Sequence, residues 1–201
     1  MKRFSSTKPE GATSYRETAF GIISRPKLLK LELEGTKKGL HLIHKLISEN
    51  QELDITPNLI LEIHKESFGW IFPDWAGKYR SARVEFSEKE AVAPHRIPER
   101  LEHLELTGSS YLDNVVELLS WFQHRFVFIH PFPDYNGRIA RMLTILILLK
   151  LNLPPVEIKA DTGNDRKKYL EAMYAADEGN YQKLINLIGA AMKEYLSGQS
   201  L

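Results

Sequence analysis

The stretch His130-Pro131-Phe132-Pro133-Asp134-Tyr135-Asn136-Gly137-Arg138-Ile139-Ala140-Arg141 decides how the rest of the chain is read. His130 can exchange a proton near neutral pH without a large pKa shift. Asp134 offers hard oxygen donors suited to Mg²⁺. Asn136-Gly137 is a turn pair, followed by a run that reads as helix from Arg138 onward. A helix that starts there turns unpaired backbone N–H groups and its positive dipole end back into the loop, which makes an anion site. Arg138 and Arg141 are three apart, so they share a helix face and can grip one polyphosphate. Together these parts suit the binding of a nucleoside triphosphate and an attack on it.

The flanks are helical. Leu112, Val115, Val116, Leu119, Phe122 and Phe126 recur at i, i+3, i+4 and i+7, and predict a helix that delivers His130 at its end. Arg138 to Asn152 predicts a central helix, apolar nearly all round and stopped by Pro154-Pro155. Asp165 caps a further helix through Ala176, closed by Gly179, and Tyr181 to Leu196 is the last. Towards the N-terminus, Pro98 opens a helix to about Leu106, and Gly69 to Gly77 is an aromatic loop. Thr56-Pro57 reads as N-cap and first helical residue of a segment with Leu59, Ile60, Ile63, His64 and Phe68 on one face. From Pro26, leucines on both sides of Glu34-Gly35-Thr36 fit either two short helices or one broken at Gly35. His41 and His44 have metal-ligand spacing, but with no third ligand evident they read as helix-surface residues. The first dozen residues read as a loosely ordered tail. Tyr79, Val84 and Phe86 are strand formers in an otherwise helical chain, and the residues alone favour a plain connecting loop there.

Composition narrows the classes. A chain of 201 residues with 43% apolar content suits one domain with some extension. The net charge of +1, with acids and bases mixed, argues against a strongly basic nucleic-acid surface. With no cysteine, disulfides, thiolate metal sites and thiol catalysis are excluded. Met1 to Gly11 is polar and lacks an apolar signal core, and the longest apolar run, Met142 to Leu151, is too short to span a bilayer. A cytoplasmic protein with neither membrane nor nucleic-acid partners is the expectation.

The opening stretch resembles the Fic (Fido) signature, His-x-Phe-x-Asp/Glu-Gly-Asn-Gly-Arg-x-x-Arg. His130, Phe132, Asp134, Asn136, Gly137, Arg138 and Arg141 match, and Tyr135 stands where the family has its first glycine. The resemblance extends to Trp75-Ala76-Gly77-Lys78-Tyr79-Arg80 and to Ala176-Asp177-Glu178-Gly179-Asn180-Tyr181. It implies an all-α, Fic-type helical bundle with one small β-hairpin flap at Tyr79, Val84 and Phe86 that docks the target's backbone as an added strand. It also implies an N-terminal extension over 1–25, a helical segment over 26–54 able to carry an inhibitory helix, and the Fic domain over 55–196.

The activity implied is transfer of AMP from ATP to a Ser, Thr or Tyr hydroxyl of a target protein, whose identity the sequence does not name. His130 would be the base and Asp134 the Mg²⁺ ligand. Asn136 and Gly137 would hold the phosphates, with Arg138 on the pyrophosphate end and Arg141 on the γ-phosphate. Two alternatives stand beside this reading. One is a phosphotransferase of the death-on-curing type, although that branch has Lys where Gly137 stands; the other is a catalytically silent Fic-fold binding module. A homo-oligomer is compatible with all three. If Tyr135 needs positive φ, it bears a cost of about 1–2 kcal/mol; with ordinary φ, its ring packs beside the nucleotide. Many relatives also carry a brake helix, Ser/Thr-x-x-x-Glu-Gly/Asn, whose glutamate pairs with the second signature arginine. Lys30 to Gly35 and Tyr174 to Gly179 resemble it in part, and Glu34, paired with Arg141, is the expected brake.

Overall fold

Seven α-helices and two short antiparallel ribbons make up residues 16–86, 89–108, 114–160 and 163–198, which this computed structural model describes. The tail expected over the first dozen residues and Leu112 lie outside that range. Strands β1 (Arg16–Thr18) and β2 (Gly21–Ile23) form a ribbon that the sequence did not announce, pinned by the Ala19 amide on the Ile71 carbonyl (2.9 Å).

Helix α1 runs unbroken over Arg25–Glu49. Its buried stripe is Leu28, Glu32, Gly35, Gly39, Ile43 and Ile47, which steps by three or four residues as one helix face requires. Glycine inside a helix costs about 1 kcal/mol against alanine, so its presence here has to be explained by contact. A Cβ on Gly35 would lie 2.2 Å from the Ser67 carbonyl oxygen, and one on Gly39 would lie 2.1 Å from Ser67 Oγ and 2.2 Å from Met142 Cε. The two glycines let α1 lie directly on its neighbours, so the continuous helix is the arrangement adopted.

Those neighbours are α2 (Pro57–Phe68), whose N-cap Thr56 accepts from the Leu59 amide (3.2 Å), and α5 (Asn136–Lys150). After the aromatic loop come the second ribbon, β3 (Glu85–Phe86) with β4 (Lys89–Glu90), and α3 (Ile97–Gly108). Helix α4 (Val115–Ile129) starts at Asn114, whose side chain accepts from the amides of Val116 and Glu117. Helices α6 (Gly163–Asp177) and α7 (Gln182–Gly198) close the bundle. This is the all-α class with a hairpin that the sequence implied.

The core has two lobes that share α4 and α5. Phe122, Phe126, Ile139, Leu143 and Leu146 pack with α1 and α2 on one side. Leu119 and Leu148 pack with Tyr169, Met173, Leu184 and Ile188 on the other. A buried polar chain ties the lobes: Thr144 Oγ1 donates to Gln123 Oε1 (3.0 Å), and Gln123 Nε2 donates to the Tyr169 hydroxyl (2.6 Å). A relay of this kind is stable because each buried polar group has a partner. Helices α4 and α5 are thus held from both sides, and the loop between them is carried on two helices that both lobes of the core share.

Candidate active site

The α4–α5 loop is closed at both ends by residues in the left-handed region. His130 has φ 51° and ends α4; Tyr135 has φ 65° and precedes α5. Such a backbone costs roughly 1–2 kcal/mol for a residue with a Cβ, so other contacts must hold the loop. The Asn136 side chain does much of this: its Oδ1 accepts from the Phe132 amide and its Nδ2 donates to the Phe132 carbonyl, both at 2.8 Å. Asp134 Oδ1 accepts from the Tyr135 amide (2.7 Å). Phe132 is wholly buried, stacked on His64 with ring centroids 3.8 Å apart.

His64 fastens the aromatic loop to this one. It accepts from the Gly77 amide at Nδ1 (2.8 Å), so its proton is on Nε2, which donates to the Asp134 carbonyl (3.3 Å). Burial holds its pKa down at about 4, so the ring is neutral at pH 7.

Arg80 does the same for the β3–β4 ribbon. The side chain is buried and its acceptors are backbone carbonyls. Nε donates to His130 O (2.6 Å), Nη1 to Ala82 O (2.8 Å), and Nη2 to Val92 O and to Ile129 O (3.3 Å). The Arg80 amide donates to Pro131 O (2.9 Å). A planar cation thus covers the negative end of α4 and fixes both ends of the ribbon to the loop. Burial pushes its pKa below the usual arginine value.

His130 Nδ1 faces the Val127 carbonyl at 3.3 Å, so the proton lies on Nδ1 and Nε2 carries the lone pair. Burial lowers its pKa to about 4, opposed by the Val127 hydrogen bond and reinforced by the nearby Arg80 charge. The imidazole is therefore neutral at pH 7. Helix α5 begins at Asn136 with no side-chain cap from Tyr135, so its first-turn amides give the loop a positive end. A Cβ on Gly137 would lie 3.7 Å from Arg141 Nη1, so that glycine leaves the approach open.

The two signature arginines have different neighbours. Arg141 lies against the Tyr169 ring of α6, 5.8 Å from its centroid. Arg138 reaches α1, where its Nη2 donates to Glu32 Oε2 (3.0 Å). Glu32 is 1% exposed, and its other oxygen accepts from Arg25 Nη1 (2.7 Å) and from the Tyr135 hydroxyl (2.9 Å).

This corrects the expectation for Glu34. Glu34 is exposed and pairs with Lys37 at 3.5 Å; the carboxylate that meets the signature is Glu32, and the arginine it meets is Arg138, not Arg141. The reason is helical phase. Two residues are about 200° apart around a helix, so with Gly35 against Ser67, Glu32 faces inward and Glu34 faces water. Glu178, the other candidate, accepts from Lys89 Nζ of β4 (2.9 Å).

Tyr79 also departs from its expected place. It precedes the ribbon, stacks on Phe132 (6.2 Å) and directs its hydroxyl to the Pro57 carbonyl (3.4 Å). Burial raises its pKa to about 12. Val84 flanks β3 and accepts from the Ala91 amide (2.9 Å), and Phe86 lies in β3. Tyr135 takes the strained alternative, and its ring points into the core, stacked on Phe68 with centroids 4.0 Å apart.

Glu32, Arg25, His64 and Arg80 were absent from the sequence-derived site. A signal existed for Glu32, the one carboxylate in the stripe Leu28, Glu32, Gly35, Gly39 and Ile43. Asp134 is the candidate metal ligand, and the described residues hold no cluster of three or more His, Cys, Asp or Glu that could bind a metal unaided. Mg²⁺ commonly takes one or two carboxylates plus substrate phosphates, so one carboxylate at a phosphate site fits it. No described helix is long and apolar enough to cross a membrane.

Residues 54–148 match the model of the Fic/DOC family. The chain is 29% identical to Protein adenylyltransferase Fic of Nematostella vectensis, covering 86% of this chain and 40% of that protein. It is 26% identical to Protein adenylyltransferase fic-1 of Caenorhabditis elegans, covering 82% and 33%. The chain thus spans well under half the length of these curated relatives. Among solved structures, Fic-1 (residues 134–508) from C. elegans superposes with a TM-score of 0.68 at 25% identity, covering 83% of this chain and 50% of that one. A Fic-domain signalling protein from Bacteroides thetaiotaomicron gives a TM-score of 0.69 at 22% identity, covering 83% and 69%. BepC from Bartonella tribocorum, solved with bound AMPPNP, gives 0.62 at 18%, covering 91% and 94%.

Proposed function

We propose that this chain, whose residues 54–148 match the model of the Fic/DOC family, is a protein adenylyltransferase: it transfers AMP from ATP to a hydroxyl of a target protein. The observation that carries the reading is His130, held neutral with its lone pair on Nε2 at the mouth of a helix-N-terminal anion site. The target's Ser, Thr or Tyr hydroxyl gives its proton to Nε2 as its oxygen attacks the α-phosphorus, and pyrophosphate leaves. First-turn amides of α5 take the charge that builds on the phosphoryl oxygens. Arg138 and Arg141 hold the β- and γ-phosphates. Asp134 would hold Mg²⁺, which neutralises phosphate charge when bound. The β3–β4 ribbon, rooted at Arg80, offers its edge to the target backbone.

Incubation of the chain and candidate target proteins with ATP labelled at the α or the γ position tests this. Protein label from the α position alone is expected. Label from γ alone would mean phosphotransfer, and ATP binding with no label would mean a binding module.

Glu32 acts as a brake on this reaction because it occupies a guanidinium that the phosphates need. Glu32→Gly is expected to raise the AMP-transfer rate about tenfold or more, while Glu34→Gly stays within twofold. Initial rates with α-labelled ATP decide it, and equal rates for wild type and Glu32→Gly would remove Glu32 from the regulation.

A further inference from the structure

The Glu32 carboxylate has three donors from three places: Arg138 at the start of α5, Tyr135 in the loop, and Arg25 at the first position of its own helix, two turns back. They are split between its oxygens. Oε2 takes Arg138; Oε1 takes Arg25 and the Tyr135 hydroxyl. Among the described residues, Arg25 and Arg138 are the two cations that neutralise this carboxylate.

That division matters when a phosphate claims Arg138. A carboxylate at 1% exposure that loses its only cation is left as an uncompensated buried charge, a severe penalty. The carboxylate has little room to follow Arg138 or to retreat to water, because α1 is fixed. Gly35 and Gly39 lie against Ser67 and Met142, where even a methyl group would collide. Arg25 is at the helix start, with its side chain 39% exposed.

We infer that Arg25 and Tyr135 form a receiving site that keeps the Glu32 carboxylate neutralised and hydrogen-bonded after Arg138 has turned to a nucleotide phosphate. They are positioning residues: they act on the nucleotide only through Glu32. The inference rests on the reading of Glu32 as a brake and adds how that brake is released, by a change of partner and not by movement of α1. Tyr135, the one departure from the family signature, gains a role in this way. Its ring takes up core space beside Phe68, and its hydroxyl supports Oε1. The direction of the effect is the distinctive part. If Arg25 merely held the brake in place, its removal would free the site. As a receiver, its removal leaves Arg138 as the carboxylate's cation and tightens the brake.

Titration calorimetry with ATP and Mg²⁺ on the full chain tests this, with wild type, Arg25→Ala, Arg25→Lys, Tyr135→Phe, Glu32→Ala and the double variant Arg25→Ala/Glu32→Ala. Glu32→Ala should tighten ATP binding about tenfold. Arg25→Ala should weaken it about five- to tenfold, and Arg25→Lys should restore most of that loss. Tyr135→Phe, which keeps the buried ring, should weaken it about threefold. In the Glu32→Ala background, Arg25→Ala should change ATP affinity less than twofold. An Arg25→Ala variant that binds ATP as well as wild type or better overturns the inference, and so does an equal loss in both backgrounds. Tyr135→Phe removes a single oxygen and serves even if Arg25→Ala misfolds; unchanged or tighter ATP binding by it also counts against the receiver. The two levels separate cleanly. If Glu32→Ala leaves ATP affinity unchanged, the brake reading falls and the receiver with it. If Glu32→Ala tightens binding while Arg25→Ala does not weaken it, the receiver alone falls.

Discussion

Replacing His130 with alanine is expected to lower AMP transfer by about 10²–10⁴-fold and to leave ATP affinity within a few-fold. The expectation rests on where the ring is fixed. His130 ends α4 in the left-handed region, its carbonyl held by Arg80 and its Nδ1–H by the Val127 carbonyl. None of these contacts belongs to the phosphate-binding groups at the start of α5, so proton transfer can be lost while binding persists. The pH dependence carries a second signature. An ordinary histidine base would protonate as pH falls through about 6.5. Burial holds His130 at about 4, so its lone pair is present across the neutral and mildly acidic range. The single-turnover rate should be flat from pH 8 to about 5 and fall only as pH approaches 4. Single-turnover transfer from α-labelled ATP across that range checks both statements. Undiminished transfer by the alanine variant would remove His130 from the chemistry, and a rate falling through pH 6.5 would mean the ring is far less buried than described.

Arg80→Ala is expected to cost about 3–5 kcal/mol of stability, read as the shift in urea midpoint multiplied by an unchanged m-value. The guanidinium serves carbonyls from the end of α4, from Ala82 and from Val92, and removing it leaves the buried Ile129 carbonyl and three part-buried hydrogen bonds without that donor. Lysine would keep a charge but not the planar fork, so Arg80→Lys should recover less than half of the loss. The β3–β4 ribbon would lose its root in both variants. A cost under about 1 kcal/mol for Arg80→Ala would show that water replaces the guanidinium at no penalty.

The parts of the site that lie next to each other in sequence were legible. Signature, the helix start at Thr56-Pro57 and the all-helical class follow from local rules of capping and period. Parts that depend on which way a helix is turned were not. Glu34 stands out in the sequence for the Glu-Gly pair it makes, whereas the packing of Gly35 against Ser67 turns Glu32 inward. His64 appeared only as a member of an apolar face, and its role depends on Gly77 and Asp134 meeting it from two other segments. Arg80 lay inside a recognised stretch, yet nothing local says that its acceptors are the carbonyls at the end of a helix fifty residues later. Tyr79 was grouped with the ribbon because aromatic residues favour strands, but burial against Phe132 won over that preference.

The seam made by Gly35 and Gly39 has a consequence for how this molecule could be dismantled. A helix that carries an inhibitory residue invites the picture of a detachable plug, to be cut away by a protease or omitted from a shortened chain. Here the face that carries Glu32 also carries Leu28, Ile43 and Ile47, which belong to the same core as Phe68, Phe126 and Leu143. Cutting it away would uncover the interior of one lobe. The backbone amides in the middle of α1 should therefore exchange with solvent only when the whole lobe opens. On the proposed reading, inhibition and folding are inherited together in this chain: Glu32 stands on a helix that is part of the core, so removing the one removes the other.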